Sequence, residues 1–149
     1  MEALALIRFD SFVGPVVHFL VADGMVGEEK KEELSNMLNL NISKDYFIFR
    51  FENTTTYNMQ FYINSMFARG HKELLMVTMT TEKFPLKKIE RFFLSEIKDL
   101  VKYLKSQSCL DYIFHLDREF TDDEMKIIED LYETVLAKMK ELHQKIMEL

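Results

Sequence analysis

The sequence predicts a single mixed α/β domain of the α+β kind, spanning residues 1–149, with five strands and three helices. The length suits one domain and is sufficient to bury a core of its own. The chain has only four glycines and two prolines, so long regular elements with few tight turns are expected. Apolar residues recur with strand-like spacing in five stretches and with helical spacing in three others.

The chain is expected to begin with a β-hairpin. Residues 3–9 form a compact apolar run, which favours a strand buried on both faces. Residues 16–21 form the second strand, and Gly14 and Pro15 lie in the turn between the two. Because this connection is too short for a crossover helix, the strands are expected to pair antiparallel. From residue 27 to 40 the spacing of apolar residues becomes helical.

Three more strands are predicted at residues 46–52, 57–64 and 73–80. They follow one another without a helix between them, which indicates an antiparallel meander. The second of them alternates strictly between apolar and polar residues, as a half-buried strand does. The polar residues 53–56 are predicted to form the turn that precedes it.

The remaining residues predict two helices. Residues 85–106 carry apolar side chains at helical spacing throughout, and Pro85 is compatible with a helix start because the first N–H groups have no partner. Residues 107–120 are a linker, in which 110–116 fits a short strand, a continued helix or a packed segment equally well. A capping-box pattern then begins the final helix, residues 121–149.

The final helix is amphipathic, and its apolar stripe has close to heptad spacing. The stripe consists of Ile128, Leu131, Val135, Leu142, Ile146 and Leu149. Two interpretations remain open: the stripe packs on the sheet of the same domain, or it binds a second chain as a two-stranded seam. Residues 82–105 are net basic and residues 117–149 are net acidic, so the last two helices are expected to attract each other.

The sequence carries no sign of catalytic or metal chemistry. The formal net charge of −6 argues against nucleic acid as a partner, and no apolar run is long enough to cross a membrane. No phosphate-binding loop, nucleophile elbow or zinc motif occurs, and the single Cys109 forms no disulfide framework. His18 is expected to face away from Val17 and Phe19, as a satisfied or exposed side chain. We therefore predict a non-enzymatic cytoplasmic protein without metal, cofactor or integral membrane anchor.

The first hairpin also resembles a family signature. Residues 9–17, Phe-Asp-Ser-Phe-Val-Gly-Pro-Val-Val, are similar to the F-x-x-x-x-G-P-x-I/V hairpin that opens longin domains of the folliculin, nitrogen-permease-regulator and DENN type and of many archaeal relatives. The predicted order of elements, β-β-α-β-β-β-α-α, also resembles that of the longin domain, a profilin-like or SNARE-like sandwich. The resemblance covers about residues 1–106. It implies a five-stranded sheet with one helix on one face and two on the other.

The resemblance implies a protein that acts by binding. Longin domains bind small GTPases and pair with related subunits, so the expected role is an adaptor or regulator subunit for a small GTPase or a trafficking-type complex. The expected partner is a small GTPase, another longin- or roadblock-type subunit or a second copy of the chain, and membranes are reached only through partners. The candidate interaction residues are Gly14, Pro15, Ile128, Leu131, Val135 and Leu142.

A second class of function follows from the aromatic residues of the predicted sheet. Phe47, Phe49 and Phe51 share one side of their strand, and Phe61 lies in the next strand. If these rings line a pocket instead of packing solidly, the chain is a profilin- or PAS-like sensor of a small molecule.

Overall fold

The computed structural model describes residues 1–36 and 44–149. Over these residues it confirms an α+β fold with one five-stranded antiparallel sheet and three helices. In chain order the elements are β1 (Ala3–Asp10), β2 (Gly14–Ala22), α1 (Glu28–Asn36), β3 (Tyr46–Phe51), β4 (Thr54–Asn64), β5 (Lys72–Thr81), α2 (Leu86–Ser106) and α3 (Asp122–Met147). Short 3₁₀ helices at Arg69–His71 and Leu110–Phe114 lie in two of the connections. Residues 37–40 of the first predicted helix lie outside the described part of the chain.

The strands lie in the order β2-β1-β5-β4-β3, and each neighbouring pair is antiparallel. β1 therefore occupies the interior of the sheet between β2 and β5. Its residues Ala3–Ile7 are buried on both faces, as the continuous apolar run predicts. The side chains of a strand alternate between faces, so β1 contributes to two separate cores.

The larger core lies between the sheet and the last two helices. Leu4 and Leu6 of β1 reach it, together with the apolar faces of α2 and α3 and of the 3₁₀ helix Leu110–Phe114. Phe93 of α2 is fully buried there, and its ring centroid lies 5.7 Å from that of Tyr46 and 5.8 Å from that of Tyr57. These aromatic contacts fix α2 across β3 and β4.

The smaller core lies on the opposite face, beneath α1. It consists of Ala5, Ile7, Leu34, Phe47 and Met76. This face also carries buried polar side chains. The Thr78 hydroxyl donates a hydrogen bond of 2.9 Å to Oδ1 of Asn58. The Asn58 amide in turn donates to the main-chain carbonyl of Phe47 at 3.3 Å. Asn58 and Thr78 thus find partners within the sheet itself.

The predicted turn at residues 53–56 is wrong, because β4 already begins at Thr54. Thr54 pairs with Phe51, and Thr55 pairs with both Arg50 of β3 and Thr81 of β5. Threonine is polar enough to occur in turns, but its β-branched side chain also favours strands. Cross-strand pairing decides between the two, and only residues 52 and 53 remain in the turn.

The predicted linker, residues 107–120, is a packed connection. Its 3₁₀ helix buries Leu110, Ile113 and Phe114 in the larger core. The capping box that follows is confirmed: the Thr121 hydroxyl accepts from the backbone N–H of Glu124 at 3.2 Å, and the Glu124 carboxylate accepts from that of Thr121 at 2.9 Å. α3 therefore starts at a position set by its own sequence.

Candidate interaction site

The β1–β2 hairpin ends in a turn held by the side chain of Asp10. Its Oδ1 atom accepts hydrogen bonds from the backbone N–H groups of Phe12 at 2.8 Å and Val13 at 3.1 Å. The hydrogen bond from Phe12 does most to hold the pKa of the Asp10 carboxyl below its ordinary value. The bond from Val13 and the positive charge of Arg8 act in the same direction. Gly14 follows with a φ of 85°, a left-handed conformation that glycine adopts at little cost. Local bonds therefore fix the turn without burial of its outermost residues.

The same turn presents apolar side chains to solvent. Phe12 is 96% exposed and Val13 is 73% exposed, while Phe9 and Val16 on the adjoining strands are also exposed. We call these four residues the hairpin tip. Pro15 is half-buried and pairs with Phe9, so it shapes the tip and adds little contact area. Single exposed apolar residues are common, but a group of them on a rigid turn is typical of an interaction surface.

The structure places the predicted stripe of α3 inside the domain. Ile128, Val135 and Leu142 are buried in the larger core, and Leu131 is half-buried against it. Lys83 Nζ also donates to a main-chain carbonyl in the last turn of α3 at 2.7 Å, which ties the end of the helix to the connection after β5. In this arrangement the stripe packs on the chain's own sheet and leaves little apolar area for a second chain.

The prediction that His18 faces away from Phe19 is wrong. A β-bulge between β1 and β2 pairs Leu6 with Phe19 and Ile7 with Val17, so His18 is the extra residue on β2. The bulge turns its ring toward the side of Phe19, with the two ring centroids 5.2 Å apart. Burial, reinforced by the nearby positive charge, lowers the pKa of His18 to about 4. His18 is therefore a neutral packing residue at physiological pH.

A cluster of ionisable side chains lies mostly buried between β1, β5 and the segment before α3, where the sequence indicates none. Glu73 Oε1 accepts from Arg8 Nη1 at 3.2 Å and lies 2.5 Å from His115 Nε2. Arg8 Nη2 also donates to Asp10 Oδ2 at 3.0 Å. Glu73 follows Arg8 by 65 positions in the chain, and His115 follows Glu73 by 42. No local motif joins them: the antiparallel pairing of β1 with β5 brings Arg8 close to Glu73, and the packing of the 3₁₀ helix Leu110–Phe114 brings His115 there.

The geometry of this cluster is that of an internal clamp. His115 follows the 3₁₀ helix Leu110–Phe114, so its contact with Glu73 holds that helix against β5. Asp111 in the same helix accepts a hydrogen bond of 3.1 Å from the backbone N–H of Met66, in the loop after β4. Burial raises the pKa of the Asp111 carboxyl. These contacts tie β1 and β5 to the 3₁₀ helix Leu110–Phe114 and tie that helix to the loop after β4.

The aromatic residues proposed to line a pocket do not share a face. Phe47 belongs to the smaller core and Phe61 to the larger core, on opposite sides of the sheet. Phe49 is exposed, and the side chain of Phe51 lies outside the described part. Within residues 1–36 and 44–149, no group of three or more His, Cys, Asp or Glu side chains is arranged to hold a metal ion. None of the helices described combines the length and apolar character that crossing a membrane requires.

No protein-family profile matches the chain, and a search of curated proteins returns no match.

Proposed function

We propose that the chain is a non-catalytic interaction module with a longin-like fold, acting as an adaptor or regulator subunit for a small GTPase or a trafficking-type complex. The sheet order β2-β1-β5-β4-β3, with α1 on one face and α2 and α3 on the other, supports the longin-like assignment. The Gly14-Pro15 hairpin agrees with it in sequence. The proposed location is the cytoplasm, with membranes reached through partners.

The exposed hairpin tip is the observation that carries this proposal. A hydrogen-bonded turn holds Phe12 and Val13 in solvent. Binding of a partner therefore costs little further conformational entropy in this turn. Large apolar side chains in such positions are typical energetic centres of protein interfaces. The predicted stripe residues Ile128, Val135 and Leu142 are buried in the larger core, so the proposed interaction rests on the hairpin tip.

The sensor of a small molecule is the weaker alternative. It relied on one pocket lined by aromatic rings, and Phe47 and Phe61 point to opposite faces of the sheet. Both side chains are buried among apolar neighbours, which is the packing expected of core residues.

The proposal is tested by binding to a panel of small GTPases from the same source, each loaded with GDP or a GTP analogue. We expect the chain to bind at least one member in one nucleotide state, with an effect on nucleotide exchange or on assembly. The Phe12→Asp substitution is expected to weaken that binding by at least about tenfold, because it puts a charge into an apolar contact. Isothermal titration calorimetry gives the dissociation constants.

Met25→Asp is the matched control. Met25 is as exposed as Phe12 but follows the far end of β2, away from the hairpin tip. Binding that survives Met25→Asp and fails with Phe12→Asp supports the proposal. No binding to any GTPase in either state would overturn the regulator role, and equal effects of the two substitutions would overturn the role of the hairpin tip.

A further inference from the structure

The side of α2 that faces away from the sheet is basic along most of its length. It carries six exposed basic side chains, which we call the basic face of α2: Lys87, Lys88, Arg91, Lys98, Lys102 and Lys105. Lys87 precedes Arg91 by four positions, and the later members follow at intervals of seven, four and three, so they share one side of the helix. The buried Ile89, Phe93 and Ile97 lie on the opposite side. At the rise of an α-helix, the charges extend over about 27 Å.

The acidic residues of α2 lie on its flanks. Glu96 Oε2 lies 3.2 Å from Lys145 Nζ of α3, and Asp99 lines the cleft between the two helices. Burial raises the pKa of Tyr46 in β3, and the nearby charge of Glu90 adds to the shift, which places Glu90 on the other flank. Acidic and basic side chains are therefore largely segregated around α2, which the structure describes along its whole length.

Ion pairing inside the domain does not use the basic face. The ion pair between α2 and α3 has its base on α3 and its acid on α2, the reverse of what the net charges of the two helices predict. Over the residues that the structure describes, none of the six basic side chains forms an ion pair. Arg91 and Lys102 lie about 120° or more from Glu96 around the helix axis. The centre of the basic face therefore turns away from α3 and its acidic residues.

The chemistry of the basic face suits an anionic lipid surface. Five of its six residues are lysine, which is depleted in protein–protein interfaces. Such interfaces are centred on aromatic or arginine anchors, whereas Ser95 and Lys98 stand at the middle of this face. No aromatic ring is among its six members, so unpaired nucleic-acid bases would find no stacking partner on it. Clusters of four to eight basic residues on a helix are typical of binding to anionic lipid head groups.

We propose that the basic face of α2 binds the anionic head groups of a membrane surface, with the helix axis parallel to the bilayer. The six cations contact head-group phosphates and carboxylates, and the apolar side of α2 stays packed on the sheet, so the contact is peripheral. Charges more than about 8 Å away are largely screened at physiological ionic strength, so the net charge of −6 does not prevent this contact. The site goes beyond the proposed function, in which membranes are reached through partners, and does not depend on the hairpin tip.

The probe for this proposal is a set of vesicles of phosphatidylcholine that contain either no charged lipid or about one third phosphatidylserine, sedimented with the whole protein. We expect binding to the charged vesicles alone and a loss of that binding at high salt, because salt screens the attraction. The double substitution Arg91→Glu and Lys102→Glu is expected to weaken binding by at least about tenfold, since it reverses two charges at the outermost positions of the face.

Lys126→Glu with Lys140→Glu is the matched control. Both lysines are exposed on α3, and the control changes the net charge of the chain by the same amount as the pair of substitutions on α2. It is expected to change the affinity by less than about twofold, and circular dichroism checks that both variants fold. The proposal is overturned if the protein does not bind the charged vesicles, if it binds the uncharged ones equally well, or if the two pairs of substitutions weaken binding equally.

A single tryptophan tests the orientation on the membrane, because the chain has none of its own. Ser95→Trp puts it at the middle of the basic face, and Ala137→Trp puts it on the exposed side of α3. With charged vesicles, we expect the fluorescence of the first variant to shift to shorter wavelength and that of the second to stay unchanged. Equal shifts would overturn the proposal. So would an oligonucleotide or polyglutamate that binds more tightly than the vesicles at the same concentration of negative charge, since the face would then suit nucleic acid or an acidic protein.

Discussion

The Val135→Asp substitution is expected to abolish the folded state of the domain. Val135 is completely buried where α3 packs into the larger core, and a carboxylate there loses its hydration among apolar neighbours. The expected cost is more than about 4 kcal/mol, close to the whole free energy of unfolding of a marginally stable domain, which is about 5 kcal/mol. Circular dichroism during thermal and urea unfolding measures the loss of the cooperative transition.

Ala137→Asp is the control for this substitution. Ala137 is exposed on the same turn of α3, so the same carboxylate stays in water and is expected to cost less than about 1 kcal/mol. Equal losses of stability in the two variants would contradict the packing of α3 described above. If Val135→Asp gives a folded monomer from a dimeric parent, the stripe of α3 is an interface between chains, and the alternative reading of that helix is correct.

The Glu73→Ala substitution is expected to destabilise the domain by roughly 3 kcal/mol, because it removes one of the two carboxylates that pair with the largely buried guanidinium of Arg8. Arg8 keeps its bond to Asp10. The loss of stability is therefore expected near the lower end of the range for breaking a buried ion pair. His115 loses its contact at the same time, so the segment around the 3₁₀ helix Leu110–Phe114 is expected to exchange its amide hydrogens faster. Urea unfolding gives the first quantity and hydrogen exchange the second.

An exposed ion pair of similar length provides the comparison. Lys145 Nζ lies 3.2 Å from Glu96 Oε2 between α3 and α2, with both side chains substantially exposed. Glu96→Ala is expected to cost less than about 1 kcal/mol, since water replaces the partner. If Glu73→Ala costs no more than Glu96→Ala, the buried cluster is not the clamp inferred from its geometry.

Regular periodicity made much of the fold predictable. The continuous apolar run of residues 3–9 indicated an interior strand, and the structure buries Ala3–Ile7 on both faces. The apolar spacing of residues 85–106 likewise indicated a long helix, which the structure has at Leu86–Ser106. Periodicity predicts these elements because each buries a broad apolar surface. Burial requires apolar residues in every turn of the helix and along the strand.

Features set by pairing between distant strands were not predictable. The start of β4 at Thr54 depends on β3 and β5 as partners, and the bulge at His18 depends on the register between β1 and β2. The charged cluster depends on the pairing that puts Arg8 opposite Leu75, close to Glu73. A single sequence carries no signal of register at these points, because the side chains concerned fit either alternative locally.

The candidate interaction site was predictable only in part. Gly14 and Pro15 identified the hairpin, but their predicted place in the turn is wrong: both belong to β2, paired with Asp10 and Phe9, and the turn is residues 11–13. The exposure of Phe12 was missed, because an apolar residue in a short turn gives no sign of which way it points. The side chain of Asp10 decides this by binding the backbone N–H groups of Phe12 and Val13.

Site-specific photo-cross-linking tests most directly the claim that the hairpin tip is a protein-docking surface. A photoreactive phenylalanine analogue is placed at position 12 in cells that naturally make this protein, and at position 25 as the control. We expect a discrete cross-linked protein from position 12 that is absent from position 25, and mass spectrometry is expected to identify a small GTPase or a longin- or roadblock-type subunit. Equal cross-linking from both positions, or none from position 12, would contradict the account.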